Sequence, residues 1–151
     1  MCIRDSHGCQ GGSGPGWVAQ CVNAIGQSST YWNNTAIFIV WDDWGGWYDH
    51  DAPQVLDANG LGPRVPLIVV SPYARAGYVS HVQHEFGSIL KFTEETFKLG
   101  SLGQRDASAD DLMDMFDFNQ APLSYQTVPA SPMWRAGTHD KRPTDDDAHD
   151  G

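Results

Sequence analysis

Hydrophobic side chains recur along the chain with two different spacings, and the longer spacing indicates helices. Residues 17–25 carry apolar side chains three or four positions apart, which predicts a helix. The same spacing starts again at Glu85 and predicts a second helix with Gly100 as its cap. A short third helix is predicted over Ala109–Met115. Beyond Phe118 several prolines predict a meandering tail rather than a part of the core.

Two short runs are continuously apolar, as expected of buried strands. They span Ala36–Trp41 and Val65–Val70, and Pro66 can occupy only the beginning or an edge of its strand. Neither run alternates polar and apolar residues, which favours parallel strands covered on both faces. The order helix, strand, loop, strand, helix, helix indicates one portion of an α/β layered fold, whose sheet two strands leave incomplete.

The composition is that of a globular protein, with 40% hydrophobic and 11% aromatic residues, and the length of 151 residues suits one domain. The net charge of −10 argues against nucleic-acid binding, because few cations are available to neutralise phosphates. No apolar run reaches the length of a transmembrane helix, and no signal peptide is apparent. Cysteines at positions 2, 9 and 21 lack the CxxC spacing of a structural zinc site.

Both ends of the chain differ in composition from its middle. Residues 1–6 join abruptly to a glycine-rich stretch and are expected to be an artefact of sequence assembly, which makes the chain a fragment. Residues 7–122 are predicted to form the C-terminal part of a domain. Residues 123–151 are rich in proline and aspartate and are expected to be an extended or disordered tail.

The segment from Trp41 to His50 is the strongest candidate for a functional site. Asp42 and Asp43 follow directly after the first predicted strand, where α/β sheets bind ligands. Two ionised neighbours repel each other, so a shared divalent metal is one explanation for their pairing. An ordinary loop with an N-cap aspartate is the other. Both carboxylates reach one ion only if the backbone turns just after Trp41, which the glycine pair at 45–46 allows.

Other polar residues have a functional and a structural interpretation. His50 either orients or protonates a bound group, or is a surface histidine beside the turn residue Asp49. Arg64 either binds an anionic substrate or pairs with a surface carboxylate. His81 and His84 are more readily explained as surface histidines near the second helix. No serine has the GxSxG context of a nucleophile elbow.

Several motifs, in order, resemble the C-terminal half of the bacterial phosphoesterase family of phospholipases C and acid phosphatases. The resemblance covers roughly residues 12–122, and its longest motif is the segment from Trp41 to His50. The other segments that carry it are Gly14–Val18, Asn23–Gly26, Tyr31–Thr35, Gly60–Pro66, Val70–Arg75, Ser88–Phe92 and Phe116–Phe118.

The resemblance implies an alkaline-phosphatase-like α/β sandwich that hydrolyses phosphate esters at a metal site beside the strand ends. In this comparison Asp42 and Asp43 match the acidic pair that binds the metal. His50 matches the histidine of the long motif, although Asp51 stands where an apolar residue is more usual. His7 falls near the position of a histidine that contacts the phosphate, in a motif whose order is altered here.

The family's nucleophile and its glutamate–asparagine metal ligands belong to the first half of the domain, which lies outside these 151 residues. We therefore expect the intact parent to be a metal-dependent phosphoesterase and this chain alone to be inactive. Phosphatidylcholine, other phospholipid head groups and small phosphomonoesters all fit as substrates, and the identity of the divalent metal is open. The resemblance also implies a periplasmic or secreted parent, and no protein partner is predicted.

Two other functions remain open at this point. The tryptophans at 41, 44 and 47 are compatible with a non-catalytic sugar-binding module, with calcium on Asp42 and Asp43. A sulfatase or a phosphonoacetate-type hydrolase of the same superfamily is the second alternative. The segment that separates these esterases from each other is the one that carries the nucleophile.

Overall fold

Three α-helices and a two-stranded sheet form the described part of this computed structural model, which is residues 13–129. The elements are α1 (Ser13–Gly26), β1 (Ile37–Val40), β2 (Leu67–Val70), α2 (Phe86–Phe97) and α3 (Gln104–Ser108), with 3-10 helices at Trp32–Asn34 and Met113–Met115. This mixture of helices and sheet is compatible with an α/β fold. Within residues 13–129, no helix is long and apolar enough to span a membrane.

The two strands pair antiparallel, so the prediction of parallel strands is wrong. Ile37 lies opposite Val70, and Val40 lies opposite Leu67. The physical reason is the connection: residues 41–66 contain no helix, whereas a parallel pair needs a crossover, usually helical, to return the chain to the same end. Pro66 lies immediately before β2, where its missing N–H is harmless.

The helix at 17–25 is confirmed as α1, and the helix predicted from Glu85 is confirmed as α2. Glu85 is the N-cap of α2, and its backbone N–H donates to Oγ of Ser88 at 3.1 Å. The prediction of Gly100 as the cap is wrong. Lys98 adopts the left-handed conformation at φ 54°, and Leu99 N–H then bonds the carbonyl of Glu94 at 2.8 Å.

The third predicted helix is displaced along the chain. Residues 104–108 are helical, whereas only the 3-10 turn at 113–115 lies inside the predicted range of 109–115. Asp110 and Asp111 explain the interruption, because each carboxylate accepts the backbone N–H two residues ahead, at 2.8 and 3.0 Å. These side-chain bonds compete with the backbone bonds of a regular helix.

Aromatic rings join the sheet to the helical layer. Phe38 of β1 lies 5.1 Å from Phe92 of α2, between ring centroids, and Phe92 stacks on Phe116 at the same distance. Phe118 stacks on Phe116 at 5.4 Å. Leu112 is fully buried, so the segment after α3 supplies much of the core.

Residues 119–129 contain no helix or strand and run back along α1. The hydroxyl of Tyr125 donates to Oδ1 of Asn23 at 2.6 Å, and the Asn23 amide also bonds both backbone groups of Val128 at 2.9 Å. Trp32 Nε1 donates to the carbonyl of Leu123 at 2.8 Å. One asparagine on the helix therefore fixes the path of this extended segment, while residues 130–151 of the predicted tail lie outside the described residues.

Candidate metal and substrate site

The loop of residues 41–66 begins directly after β1 and places Asp42 and Asp43 at its start. Both residues are exposed. Oδ1 of Asp43 accepts the backbone N–H of Gly45 at 2.6 Å. Gly45 and Gly46 have φ values of 62° and 75°, and they form a turn closed by Trp47 N–H on the carbonyl of Trp44. The glycine pair thus turns the backbone at 44–47, whereas a shared ion on Asp42 and Asp43 requires a turn just after Trp41.

Arg64 lies near the end of the loop and contacts two aspartates in the middle of the loop. Its Nε and Nη2 donate to the two carboxylate oxygens of Asp49 at 2.7 and 2.8 Å, and its Nη1 lies 2.5 Å from Oδ2 of Asp51. The hydrogen bonds from Arg64 hold the pKa of Asp49 well below its ordinary value of 3.8. The bidentate pair joins the middle of the loop to its far end. With Asp51 as a second partner, the guanidinium of Arg64 contacts two carboxylates of the protein.

His50 is 82% exposed in its side chain, and its Nδ1 lies 3.7 Å from Oδ1 of Asp49. The structure thus places Asp49 and His50 of the predicted site segment beside Arg64, the predicted substrate-binding residue. His7 lies outside the described residues. The roles predicted for these residues therefore stay predictions.

The same loop is tied to the helical layer through Asp57 and Arg105. Asp57 accepts the backbone N–H groups of Asn59 and Gly60 at 2.8 and 3.0 Å, and these bonds lower its pKa. Nη1 of Arg105 lies 3.4 Å from Oδ2 of Asp57, while its Nε donates to Glu85 at 2.7 Å. The loop of residues 41–66, called the acidic loop below, therefore contacts Arg64 within itself and Arg105 of α3.

A second polar cluster lies between the start of α2 and the segment after α3. His84 Nδ1 is 2.8 Å from Oδ1 of Asp110, and His84 Nε2 is 3.6 Å from Oδ1 of Asp114. One ligand atom from each of these residues lies within 4.8 Å of the others, which makes them a candidate metal-binding triad among residues 13–129. All three are half-buried.

Sequence reasoning missed this triad, since His84 looked like a surface histidine and its aspartates lie 26 and 30 residues further along the chain. The local signal was weak: Asp110 and Asp114 differ by four positions, which suggests one helical face, but the segment is not a regular helix. The chain reversal through α3 brings them to His84.

A profile described as "Phosphoesterase family" matches residues 3–100. The match covers more than half of the chain and includes the loop with Asp42, Asp43, Asp49 and Arg64. This chain belongs to the Phosphoesterase family, which confirms the resemblance seen in the sequence motifs.

Three similar curated proteins come from bacteria and a plant, and each is named as a phospholipase C. "Non-hemolytic phospholipase C" of Burkholderia pseudomallei is 28% identical over 149 positions, covering 77% of this chain and 21% of that protein. "Phospholipase C B" of Mycobacterium tuberculosis is 29% identical over 132 positions, covering 70% and 25%. "Non-specific phospholipase C6" of Arabidopsis thaliana is 31% identical over 122 positions, covering 64% and 24%. The chain thus spans between a fifth and a quarter of the length of these relatives.

Proposed function

We propose that the intact protein containing this chain is a metal-dependent hydrolase of phosphate esters, with phospholipids or small phosphomonoesters as substrates. The observation that carries the proposal is the Phosphoesterase family match across residues 3–100, which includes the acidic loop after β1. Relatives named as phospholipases C support a phospholipid substrate. An alkaline-phosphatase-like sandwich and export to the periplasm or the medium belong to the same proposal.

Asp42 and Asp43 are the proposed ligands of a divalent cation. Their carboxylates are exposed directly after β1, and hard oxygen donors of this kind suit Mg²⁺, Ca²⁺ or Mn²⁺. Oδ1 of Asp43 also accepts the Gly45 N–H at 2.6 Å, which orients this carboxylate at the start of the loop. Two carboxylates do not complete a coordination sphere, so water, the substrate or other residues of the intact protein would supply the remaining ligands. The cation would polarise a phosphoryl oxygen and stabilise the charge that develops on it.

The neighbouring side chains have separate proposed tasks. His50 is exposed beside the Asp49–Arg64 pair, where it can hold or transfer a proton at a bound phosphate. Arg64 is the proposed substrate-binding cation, and its contacts with Asp49 and Asp51 position it when no anion is bound. His7 is proposed to contact the phosphate. The 151-residue chain alone is proposed to be inactive.

The test is hydrolysis of p-nitrophenyl phosphate and of phosphatidylcholine by the full-length protein. The proposal expects hydrolysis of at least one substrate, loss of activity on chelation with EDTA and recovery on adding back a divalent metal. The isolated chain should hydrolyse neither substrate under the same conditions. Metal-independent hydrolysis by the full-length protein, or activity of the isolated chain, would contradict the corresponding part of the proposal.

The sugar-binding alternative has one observation in its favour, which is the exposure of Trp47 and Tyr48 at 81% and 90%. Exposed rings can stack on sugars, but they also carry intrinsic fluorescence that reports binding. Quenching by oligosaccharides that phosphate does not compete away would favour the alternative. Quenching of the fluorescence by phosphate and not by oligosaccharides would favour the hydrolase.

A further inference from the structure

The strongest unassigned feature is the triad of His84, Asp110 and Asp114. It shares no residue with the loop of residues 41–66 and is built from other parts of the chain. His84 directly precedes the N-cap of α2, Asp110 follows α3, and Asp114 lies in the 3-10 turn at Met113–Met115. Three separate pieces of backbone therefore bring one imidazole and two carboxylates within 4.8 Å of one another.

The hydrogen bonds around the triad define which atoms carry protons. Oδ2 of Asp114 accepts the hydroxyl of Ser80 at 2.5 Å and that of Tyr78 at 3.1 Å. Because Ser80 gives its proton to Asp114, its oxygen accepts from His84 Nε2 at 2.9 Å. His84 therefore bears a proton on Nε2, and in the neutral form of the ring Nδ1 presents a lone pair.

Two buried atoms of the triad have no hydrogen-bond partner within the described part of the chain: His84 Nδ1 and Asp114 Oδ1. The Nδ1 lone pair faces Oδ1 of Asp110 at 2.8 Å, but the two atoms do not form a hydrogen bond. With a neutral ring these are two acceptors that repel each other, so either a second ring proton or a metal cation must lie between them. Buried polar groups without partners are uncommon in native proteins and call for a missing ligand or ion.

We propose that His84 Nδ1, Asp110 Oδ1 and Asp114 Oδ1 bind one divalent transition-metal ion, Zn²⁺ or Mn²⁺. Two ligands about 2.1 Å from a shared ion lie about 3.0 Å apart at octahedral angles and about 3.4 Å apart at tetrahedral ones, so the 2.8 Å separation of Nδ1 and Oδ1 is nearer to the octahedral value and either ion requires a small opening of the pair. A mixed imidazole and carboxylate set favours these ions over Mg²⁺ and Ca²⁺, which prefer oxygen alone. The ion also offsets the two negative charges of the half-buried aspartates.

The site has a structural consequence. Asp110 and Asp114 flank Leu112, which is fully buried, and the N–H of Leu112 bonds Oδ1 of Asp110 at 2.8 Å. An ion on this triad therefore fastens the core segment after α3 to the beginning of α2. Binding to the folded state alone stabilises it in proportion to the logarithm of the ion concentration.

The direct experiment is calorimetric titration of the metal-free 151-residue chain with Zn²⁺, Mn²⁺ and Mg²⁺. A D42N/D43N background removes the other proposed ligands, so the outcome is separate from the proposed function. The expected result is one Zn²⁺ or Mn²⁺ per chain, no comparable binding of Mg²⁺, and a higher melting temperature with the bound ion. H84Q should abolish the binding and D110N should weaken it at least about tenfold.

Matched controls are H81Q, which removes an exposed histidine three residues from His84, and D111N, whose amide oxygen can still accept the Met113 N–H. Both should bind the ion as the background chain does. If H84Q or D110N fails to fold, nuclear magnetic resonance of the histidine rings in the background chain decides. Zn²⁺ should shift the Nδ1 signal of His84 selectively. An unchanged His84 signal at saturating Zn²⁺, or full binding by H84Q, overturns the proposal and leaves a histidine–aspartate hydrogen-bond network without an ion.

Discussion

Arg64 and Asp49 form a bidentate ion pair that closes the acidic loop on itself. The two hydrogen bonds measure 2.7 and 2.8 Å, and they join residues 15 positions apart in the sequence. Asp49 is 17% exposed in its side chain, whereas Arg64 is 59% exposed. The pair therefore organises the loop that carries Asp42 and Asp43 without being part of the core.

Replacing Arg64 should return the pKa of Asp49 towards its ordinary value of 3.8. In the wild-type chain the folded pKa is lowered, so the pair's stabilising effect is complete above the unfolded pKa and is lost as the pH falls through the lower folded one. Carbon-detected titration of the Asp49 carboxyl in the wild type and in R64Q measures this directly. K98Q, which removes an exposed cation elsewhere, is the control. An Asp49 titration that R64Q leaves unchanged would show that the pair does not form in solution.

Glu94 and Asp106 predict a pH dependence of stability with two opposite slopes. Burial and the hydrogen bond to Asp106 raise the pKa of Glu94. Burial alone would raise the pKa of Asp106 too, but bonds from Ser101, Glu94 and the Leu102 N–H outweigh it and hold the pKa at about 2. The Asp106 contribution is therefore lost as the pH falls from 3.8 towards that value, and the Glu94 contribution is lost as the pH rises from 4.5 through its raised pKa.

The expected result is that E94Q loses less stability than the wild type as the pH rises above 4.5. In the wild type the Leu102 N–H bonds Oε1 of Glu94 at 3.2 Å. Glutamine keeps an oxygen that can accept this bond, and its amide can donate to Asp106. Urea unfolding at a series of pH values measures the effect. D117N, which removes a carboxylate outside the pair, should follow the wild-type profile. Identical profiles for E94Q and the wild type would contradict the assignment.

A methyl group on Gly26 should displace Tyr125. An added Cβ would lie 2.3 Å from Cδ2 and Cε2 of the tyrosine ring, closer than packed atoms allow. G26A should therefore destabilise the fold by about 1–3 kcal/mol, the usual cost of overpacking. G100A is the control, because nothing lies within 4 Å of its Cβ position. Equal unfolding midpoints for the two variants would show that the extended segment is not seated on α1.

Leu112 should be among the most sensitive positions of the core. Its side chain is fully buried, it lies between Asp110 and Asp114 in the sequence, and its backbone is in the left-handed region at φ 61°. L112A should cost about 2–5 kcal/mol, because truncating a fully buried leucine leaves a cavity in the core. L102A, which truncates a leucine that is 81% exposed, should cost far less. Chemical denaturation of both variants compares them, and similar losses would contradict the assigned core.

The sequence was sufficient for the elements with long, regular patterns. The apolar spacing predicted α1 and α2, and the continuous apolar runs located both strands to within a few residues. Their mutual direction was not predictable from the runs, because an apolar strand reads the same in either direction. It was set by the helix-free connection of residues 41–66.

Local side-chain chemistry accounts for the remaining errors. Asp110 and Asp111 bond the backbone ahead of them and end the helical pattern that the apolar spacing suggested. Lys98 takes a backbone conformation that usually goes to glycine, so Gly100 was the wrong cap. The loop candidates Asp49, His50 and Arg64 are found together, whereas the triad around His84 depends on a tertiary chain reversal that no short motif encodes.

The most direct test of the central claim is the rate of phosphate-ester hydrolysis by the full-length protein carrying D42N or D43N. Loss of a metal ligand should lower kcat/KM for p-nitrophenyl phosphate by at least about 100-fold. D57N is the control in the same loop, since an amide oxygen can still accept the N–H groups of Asn59 and Gly60. The account predicts near-normal activity for D57N and near-complete loss for the other two. Wild-type activity in both D42N and D43N would contradict it.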